Sequence, residues 1–398
     1  MEAGDPRARE SILLTIMDAE KTMILFVVNA RMPNKKAYGI QIGKMCEAFI
    51  ENGEKLELII PRTQTSSTAS LRELYNLRVE IPTTILPGLD WYARGRFAFA
   101  LSSLIFILSS AVYLLGKRLT GARAIIYTVD MDTFSFAPLV FFGFPCIAEM
   151  HDVKPVRFFT KQFFKRAKLI VATNTEIAQT LGTDFSIESA RMIIEPNGVD
   201  MQRFDSDLSR EEARRRLGIS SHKKIALYAG RFYAWKGLGI LIKASEALPQ
   251  DVECYAVGGS KEDFLASSSS REIPDQLHIA GSYPLTEMPL WHRTADVLLV
   301  IGTRDNARSF RHTSPMKVFE YMASHRPLVA ADTPALRSII EAGEALWYAP
   351  DTPEDLARAI ADALSSDTSA IVARAYERAK RHTWQLRAAR IYEKIIAL

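Results

Sequence analysis

The stretch Thr313–Thr333, TSPMKVFEYMASHRPLVAADT, reads as loop, helix, turn and buried strand. Ser314 suits a helix N-cap and Pro315 the first helical position. Val318, Tyr321 and Met322 recur at helical spacing, and Pro327 closes the turn. Leu328–Ala331 is a short apolar run, as expected of a parallel strand covered on both faces. A helix opening at Ser314, Pro315 and Met316 would offer a phosphate its backbone N–H groups and the positive end of its dipole. Glu320 lies nearly two turns in, where a carboxylate could accept hydrogen bonds from ribose hydroxyls. The same pattern fits a capped helix whose Glu320 faces solvent.

A second stretch, Ile225–Ala244 (IALYAGRFYAWKGLGILIKA), points the same way. Ile225–Tyr228 is a strand, Gly230-Arg231 follows it, and Lys236-Gly237 stands before an apolar helix. Two cations therefore occupy a strand-to-helix turn at the carboxyl end of a sheet, where open α/β sheets bind ligands. Arg231, Lys236 and a helix N-terminus could hold a diphosphate without a metal.

Together these stretches resemble the nucleotide-sugar-binding signature of retaining glycosyltransferases of the GT-B fold, family 4 (glycosyl transferases group 1). That signature runs strand, Gly-Arg, Lys-Gly and, about eighty residues later, a helix of the type Ser314-Pro-x-Lys-x-x-Glu-Tyr-Met-Ala323. The segment from Ile194 to Phe204, IEPNGVDMQRF, resembles the family's entrance to its second domain, and Thr383-Trp384 opens a last amphipathic helix.

The resemblance implies an α/β protein of two doubly wound, Rossmann-like domains facing a cleft. Residues 1–195 would form the acceptor side, with 384–398 packing back on it, and residues 196–383 would bind the nucleotide sugar. Arg231, Lys236 and the backbone near Ser314–Met316 would stabilise the departing diphosphate. Glu320 would hold the ribose, and His151 and His312 would address the sugar. Gly230, Gly258 and Gly281, at strand ends, would let the nucleotide approach the backbone. The leaving phosphate would take the acceptor's proton in a front-side displacement; no carboxylate pair of glycosidase type is assignable. The first loop, with Asn34, Lys35, Lys36, Tyr38 and Gly39, would line the acceptor side. One departure stands out: the family places a glutamate eight residues before the second one, and this chain has His312 there, which leaves the donor sugar open.

The chain has 398 residues, 48% apolar and 24% charged, with a net charge of +4. That length suits two domains. The modest charge and the lack of an aromatic-interleaved basic motif argue against nucleic acid, and are compatible with anionic substrates or an anionic membrane surface. Cys46, Cys146 and Cys254 are far apart in apolar segments, which suggests neither disulfides nor a metal site and fits a reducing cytoplasm. The charged N-terminal segment lacks the apolar core of a signal peptide and reads as a loosely held extension.

The first half opens as a βαβ unit: a strand at Met23–Asn29, a helix from about Ile40 to Glu51 and a strand at Leu56–Ile60. Thr63–Ser70 reads as a loop. Phe97–Leu115 is uncharged throughout and flanked by Arg94, Arg96, Lys117 and Arg118. Its length permits a membrane span, but strands before and after it should share one sheet. A helix buried against the sheet, or one dipping into a membrane surface, is expected instead. Asp130-Met131-Asp132 follows the strand Ala124–Thr128 and reads as a loop, since the donor domain is the other one. Cys146–Met150 is a strand that ends in His151-Asp152. A histidine there faces the ligand end of the sheet or caps a turn.

Lys154–Lys168, KPVRFFTKQFFKRAK, mixes six cations with four phenylalanines. Such a helix either lies on an anionic bilayer or packs its phenylalanines inward. The expected protein is thus a metal-independent, cytoplasmic transferase needing no cofactor, peripherally bound to the inner face of the membrane. Its donor would be a UDP- or GDP-linked sugar and its acceptor a glycan or lipid-linked glycan of polysaccharide or glycolipid synthesis. A sugar-nucleotide epimerase of similar fold, or a non-catalytic subunit of a polysaccharide-assembling complex, are the competing readings.

Overall fold

Short apolar runs separated by helical segments build two parallel sheets in the computed structural model, which describes residues 22–34, 36–63, 70–129, 137–205, 207–219 and 222–397. The N-terminal extension, Lys35, the centre of the Ser/Thr-rich loop and the Asp130–Asp132 motif lie outside the described residues. The chain divides into two units. One comprises residues through Thr173, Ile177–Glu195 and Trp384–Leu398; the other comprises Asn174–Glu176 and Pro196–Thr383.

In the first unit seven strands are ordered β3-β2-β1-β4-β5-β6-β7, all parallel. They are β1 (Met23–Val27), β2 (Leu56–Pro61), β3 (Thr83–Leu86), β4 (Ala124–Val129), β5 (Cys146–Met150), β6 (Leu169–Ala172) and β7 (Met192–Ile194). The edge strand β3 has no counterpart in the sequence reading. Helix α1 (Ala37–Glu51) begins earlier than expected and so takes in Gly39. Helices α2 (Arg96–Leu119) and α3 (Phe158–Arg166) follow β3 and β5. Right-handed crossovers put α2 and α3 on the same face of the sheet. Phe106 and Leu114 of α2 and Phe163 and Phe164 of α3 accordingly share one buried layer.

Because β3 and β4 both belong to this sheet, α2 begins and ends on one side of any membrane and does not cross it. The helix packs one face on the sheet, as expected, with Phe106, Ile107 and Leu114 buried beside Ser102, Ser103 and Ser110. A second apolar stripe, which includes Leu108, Val112 and Leu119, is left exposed.

The second unit's sheet is ordered β10-β9-β8-β11-β12-β13, again parallel. Its strands are β8 (Lys224–Ala229), β9 (Val252–Val257), β10 (Leu277–Gly281), β11 (Val297–Val300), β12 (Leu328–Ala331) and β13 (Leu346–Tyr348). Strand order reverses between β8 and β11, which makes the carboxyl ends of those two strands the natural ligand position. Helix α4 (Lys317–Ala323) leads into β12, with Val318, Phe319, Tyr321 and Met322 buried beneath it. The last helix, α5 (Trp384–Ile396), returns to the first unit and packs on α1.

Candidate functional site

At the end of β8 the chain turns sharply at Gly230, whose φ of 146° favours glycine. A Cβ there would stand 3.0 Å from Lys317 Nζ. Gly258, at the end of β9, is needed for a different reason from the one expected. Its Cβ would sit 2.4 Å from the Gly230 carbonyl oxygen, so it makes room for this chain's own turn rather than for a ligand. Gly281 accepts a hydrogen bond from the Gly258 N–H at 2.8 Å and so supports the same turn.

The turn carries a cluster of cations around Tyr228. Lys317 Nζ lies 3.7 Å from the centre of the Tyr228 ring. Lys236 Nζ reaches the Tyr228 hydroxyl at 3.2 Å and donates to the Arg231 carbonyl at 2.9 Å. Arg308 lies 4.9 Å from the centre of the Trp235 ring, with Lys236 Nζ 5.6 Å from it. Burial, then Arg308 and Arg231, brings the Lys236 ammonium down to about 8. Burial and Lys236 hold Lys317 well below the ordinary lysine range, opposed only by Glu320. For Glu320 burial raises the carboxyl above its usual value, against the pull of Arg203 and Lys317. A group of like charges that depress one another is short of negative charge, and a bound anion would supply it.

The start of α4 differs from expectation. The helix begins at Lys317 with Met316 at its N-cap, so Ser314 does not cap it and Pro315 is not its first residue. Glu320 falls in the first turn rather than near the second. Distant side chains hold the segment before the helix. Asn197 donates to the Ser314 carbonyl at 2.7 Å, and Asn174 to the Arg311 and Thr313 carbonyls at 3.2 and 3.1 Å. The Ser314 hydroxyl is left buried, with no hydrogen-bond partner among the described residues. His312 ends a single π-helical turn, Arg308–His312, just upstream. Tyr321 locks α4 to β8, its hydroxyl accepting from the Ala229 N–H at 2.8 Å and donating to the Ala229 carbonyl at 3.1 Å.

Arg231, Lys236, Gly230 and Glu320 are thus brought together as expected residues, and Lys317, Tyr228 and Arg308 join them. Lys317 is the residue that sequence reasoning missed. Its signal was its place in the quoted motif, three residues before Glu320.

His151 belongs to the first unit. Its Nε2 lies 2.7 Å from Glu149 Oε1 at the end of β5. Glu149 is fully buried and also accepts from Gln41 Nε2 at 2.7 Å, from the Tyr127 hydroxyl, and from Arg387 of α5 at 2.8 and 3.1 Å. Burial alone would raise its carboxyl. Arg387, with help from His151, overrides that and brings it down to about 2. An ionised Glu149 takes the Nε2–H of His151, so in the neutral ring Nδ1 is the acceptor.

Gly39 does not open space for a substrate, because its Cβ would lie 2.5 Å from the Tyr75 hydroxyl. Tyr38 is half-buried beside it, with Lys36 Nζ 6.0 Å from its ring centre. Among the described residues no group of three His, Cys, Asp or Glu is placed to hold a metal ion.

Comparison with known proteins bears on the second unit. Residues 209–382 match the glycosyl transferases group 1. This match lies within the second unit. Among the chain's relatives is the D-inositol 3-phosphate glycosyltransferase of Corynebacterium glutamicum, 25% identical over 58% of this chain and 57% of that protein. The putative teichuronic acid biosynthesis glycosyltransferase TuaC of Bacillus subtilis is 27% identical over 42% of this chain and 39% of that protein. The chain thus spans about half the length of the curated relatives it matches.

Solved structures extend the likeness of fold along the chain. Alr3699/HepE of Anabaena, in complex with UDP and glucose, has a TM-score of 0.70 at 16% identity, covering 95% of this chain and 100% of that one. A glycosyltransferase from Rickettsia africae has a TM-score of 0.70 at 18% identity, covering 94% and 99%. The fold is that of the GT-B glycosyltransferases.

Proposed function

We propose that this chain is a retaining, metal-independent glycosyltransferase of family 4. It moves a sugar from a nucleoside-diphosphate sugar to a glycan or lipid-linked acceptor of cell-surface polysaccharide or glycolipid synthesis. The observation that carries this reading is the cation cluster around Tyr228, with Lys236 depressed by burial and by two other cations.

A diphosphate supplies the missing negative charge. Arg231, Lys236 and Lys317 bind its oxygens, and the unpartnered Ser314 hydroxyl donates to one of them. As the C1–O bond to the diphosphate breaks, these groups stabilise the charge that develops on the leaving oxygen. The acceptor oxygen bonds C1 on the same face, and its proton passes to the leaving phosphate. The cations supply the role a metal would otherwise fill, so no cofactor is needed. Glu320 accepts hydrogen bonds from the ribose, while His312 and His151 address the sugar. UDP is the favoured nucleotide, because the fold neighbour from Anabaena holds UDP-glucose. The buried, free cysteines suit the cytoplasm, with the acceptor presented at the inner face of an anionic membrane.

Calorimetric titration with UDP tests the reading. Arg231→Ala, Lys236→Ala and Lys317→Ala each remove a charge-assisted contact worth about 1.5–3 kcal/mol, a loss of roughly 10- to 150-fold in affinity. Unchanged UDP affinity in all three variants would refute the diphosphate assignment. Tight UDP binding with no transfer from any sugar nucleotide would instead favour the non-catalytic subunit.

A further inference from the structure

Helix α2 buries Phe106, Ile107 and Leu114 but leaves a second apolar stripe in water. Ser102, Ser103 and Ser110 are buried, at 0%, 0% and 1% exposure, while Phe97, Leu108, Val112 and Leu119 stand at 84%, 57%, 75% and 79%. Two of the inward serines meet polar partners, while the Ser110 hydroxyl has none among the described residues. Ser103 Oγ accepts from Asn29 Nδ2 at 3.1 Å, and Ser102 Oγ accepts from the Trp91 N–H at 3.2 Å. Leu104 and Leu115 complete the outward stripe, which follows i, i+4 spacing on the side opposite the serines. An apolar stripe of this length on a soluble surface calls for a covering partner.

Charge at its margins selects that partner. Arg94 and Arg96 stand exposed at one end and Arg118 at the other, and no charge interrupts the helix between Phe97 and Gly116. Arg94 lies 5.4 Å from the ring centre of Trp91, itself exposed, as in the aromatic belt of a membrane interface. On the same sheet face α3 sends Phe163 and Phe164 inward and leaves Phe158 and Phe159 outward among exposed Lys161, Lys165 and Arg166. A second copy of this chain would bring like charges together at the rim. An anionic bilayer brings phosphates to them.

We propose that α2 is an in-plane membrane helix, its stripe from Phe97 to Leu119 entering the acyl layer of an anionic leaflet while the flanking arginines meet lipid phosphates. This deepens the membrane-side reading given above and is independent of the nucleotide site. Phe99 packs on Tyr92 at 5.6 Å, and the Tyr92 hydroxyl donates to Asn29 Oδ1 at 2.7 Å, just past the carboxyl end of β1. The stripe therefore starts at the end of the first sheet where α/β folds receive ligands, which suits an acceptor carried by a lipid.

The test uses the full chain, labelled with an environment-sensitive fluorophore at Leu108→Cys or Val112→Cys. The three native cysteines are buried and remain unlabelled under native conditions. Adding phosphatidylglycerol–phosphatidylcholine vesicles should shift the emission to the blue and expose the label to quenching by brominated acyl chains. A label at Glu354→Cys in the second unit should not respond. The double variant Leu108→Gln/Val112→Gln should bind vesicles roughly a hundredfold more weakly, a factor of about ten or more for each apolar side chain withheld from lipid. Its UDP affinity should be unchanged, which separates this inference from the nucleotide reading. Vesicle binding that is lost in high salt and never shifts the label would overturn insertion and leave electrostatic docking alone. No vesicle binding, with a dimer in solution that the double variant dissociates, would overturn it in favour of a second copy.

Discussion

Replacing Arg387 with methionine would leave the Glu149 carboxylate buried and ionised with no guanidinium beside it. Both side chains are fully buried, joined at 2.8 and 3.1 Å, and Gln41 and His151 each add a bond of 2.7 Å to the same carboxylate. Losing one partner of such a pair costs roughly 3–5 kcal/mol. The acidity of Glu149 gives the same order: a fall from 4.5 to about 2 corresponds to about 3 kcal/mol. The sign follows from the acid being stronger in the folded state. Its stabilisation is complete above the unfolded value near 4.5 and is lost as pH falls toward 2.

Urea unfolding followed by tryptophan fluorescence suits the measurement, since Trp384 is buried at the start of α5. Arg387→Met should lose several kcal/mol at neutral pH, together with the share of acid destabilisation that Glu149 contributes between about pH 4.5 and 2. Glu149→Gln/Arg387→Met has no buried charge left and should recover much of the deficit. A loss under about 1 kcal/mol in Arg387→Met, or simple additivity in the double variant, would refute the pair as the anchor of α5.

Two further outcomes concern the second unit. Since Lys236 sits near 8 when the site is empty and a diphosphate would raise it, UDP affinity should be full below pH 8 and fall as pH rises above it; calorimetry across pH 7 to 10 checks this, and Lys236→Met should flatten that part of the profile. Glu320→Ala should weaken UDP itself by roughly tenfold, as loss of a ribose hydrogen bond to a charged group implies; a loss confined to UDP-glucose would move Glu320 from the ribose to the sugar.

The interior strands were legible because parallel strands covered on both faces are continuous apolar runs, as in β1, β4 and β12. The edge strand β3 was not, since in TTIL only Leu86 is buried while Thr83 and Ile85 are exposed, and so short a stretch resembles a loop. At the site the same boundary appears. Arg231, Lys236 and Glu320 were readable from local spacing. The true start of α4 was not, because Asn174 and Asn197 fix the preceding segment from more than a hundred residues away. Lys317 was hidden by its position: in a helical repeat it reads as a solvated lysine, and only the sheet places Tyr228 beneath it.

Helix α2 shows how the ordinary rule for amphipathic helices can be relaxed by local partners. Four serines on one side of an apolar helix mark the face that water would normally wet. Here the side chain of Asn29 and the backbones of Pro87 and Trp91 offer Ser103, Ser109 and Ser102 hydrogen bonds without water. Buried hydroxyls that keep their bonds cost little, so Ser102 and Ser103 can turn inward; Ser110, buried with no hydrogen-bond partner among the described residues, does carry a cost. The leucines are then displaced to the surface, where water penalises them. Insertion of the stripe into a leaflet, as proposed above, would remove that penalty. The flanking arginines and the exposed phenylalanines of α3 lie on the same side of the sheet as the stripe, and an anionic leaflet would answer all three features at once.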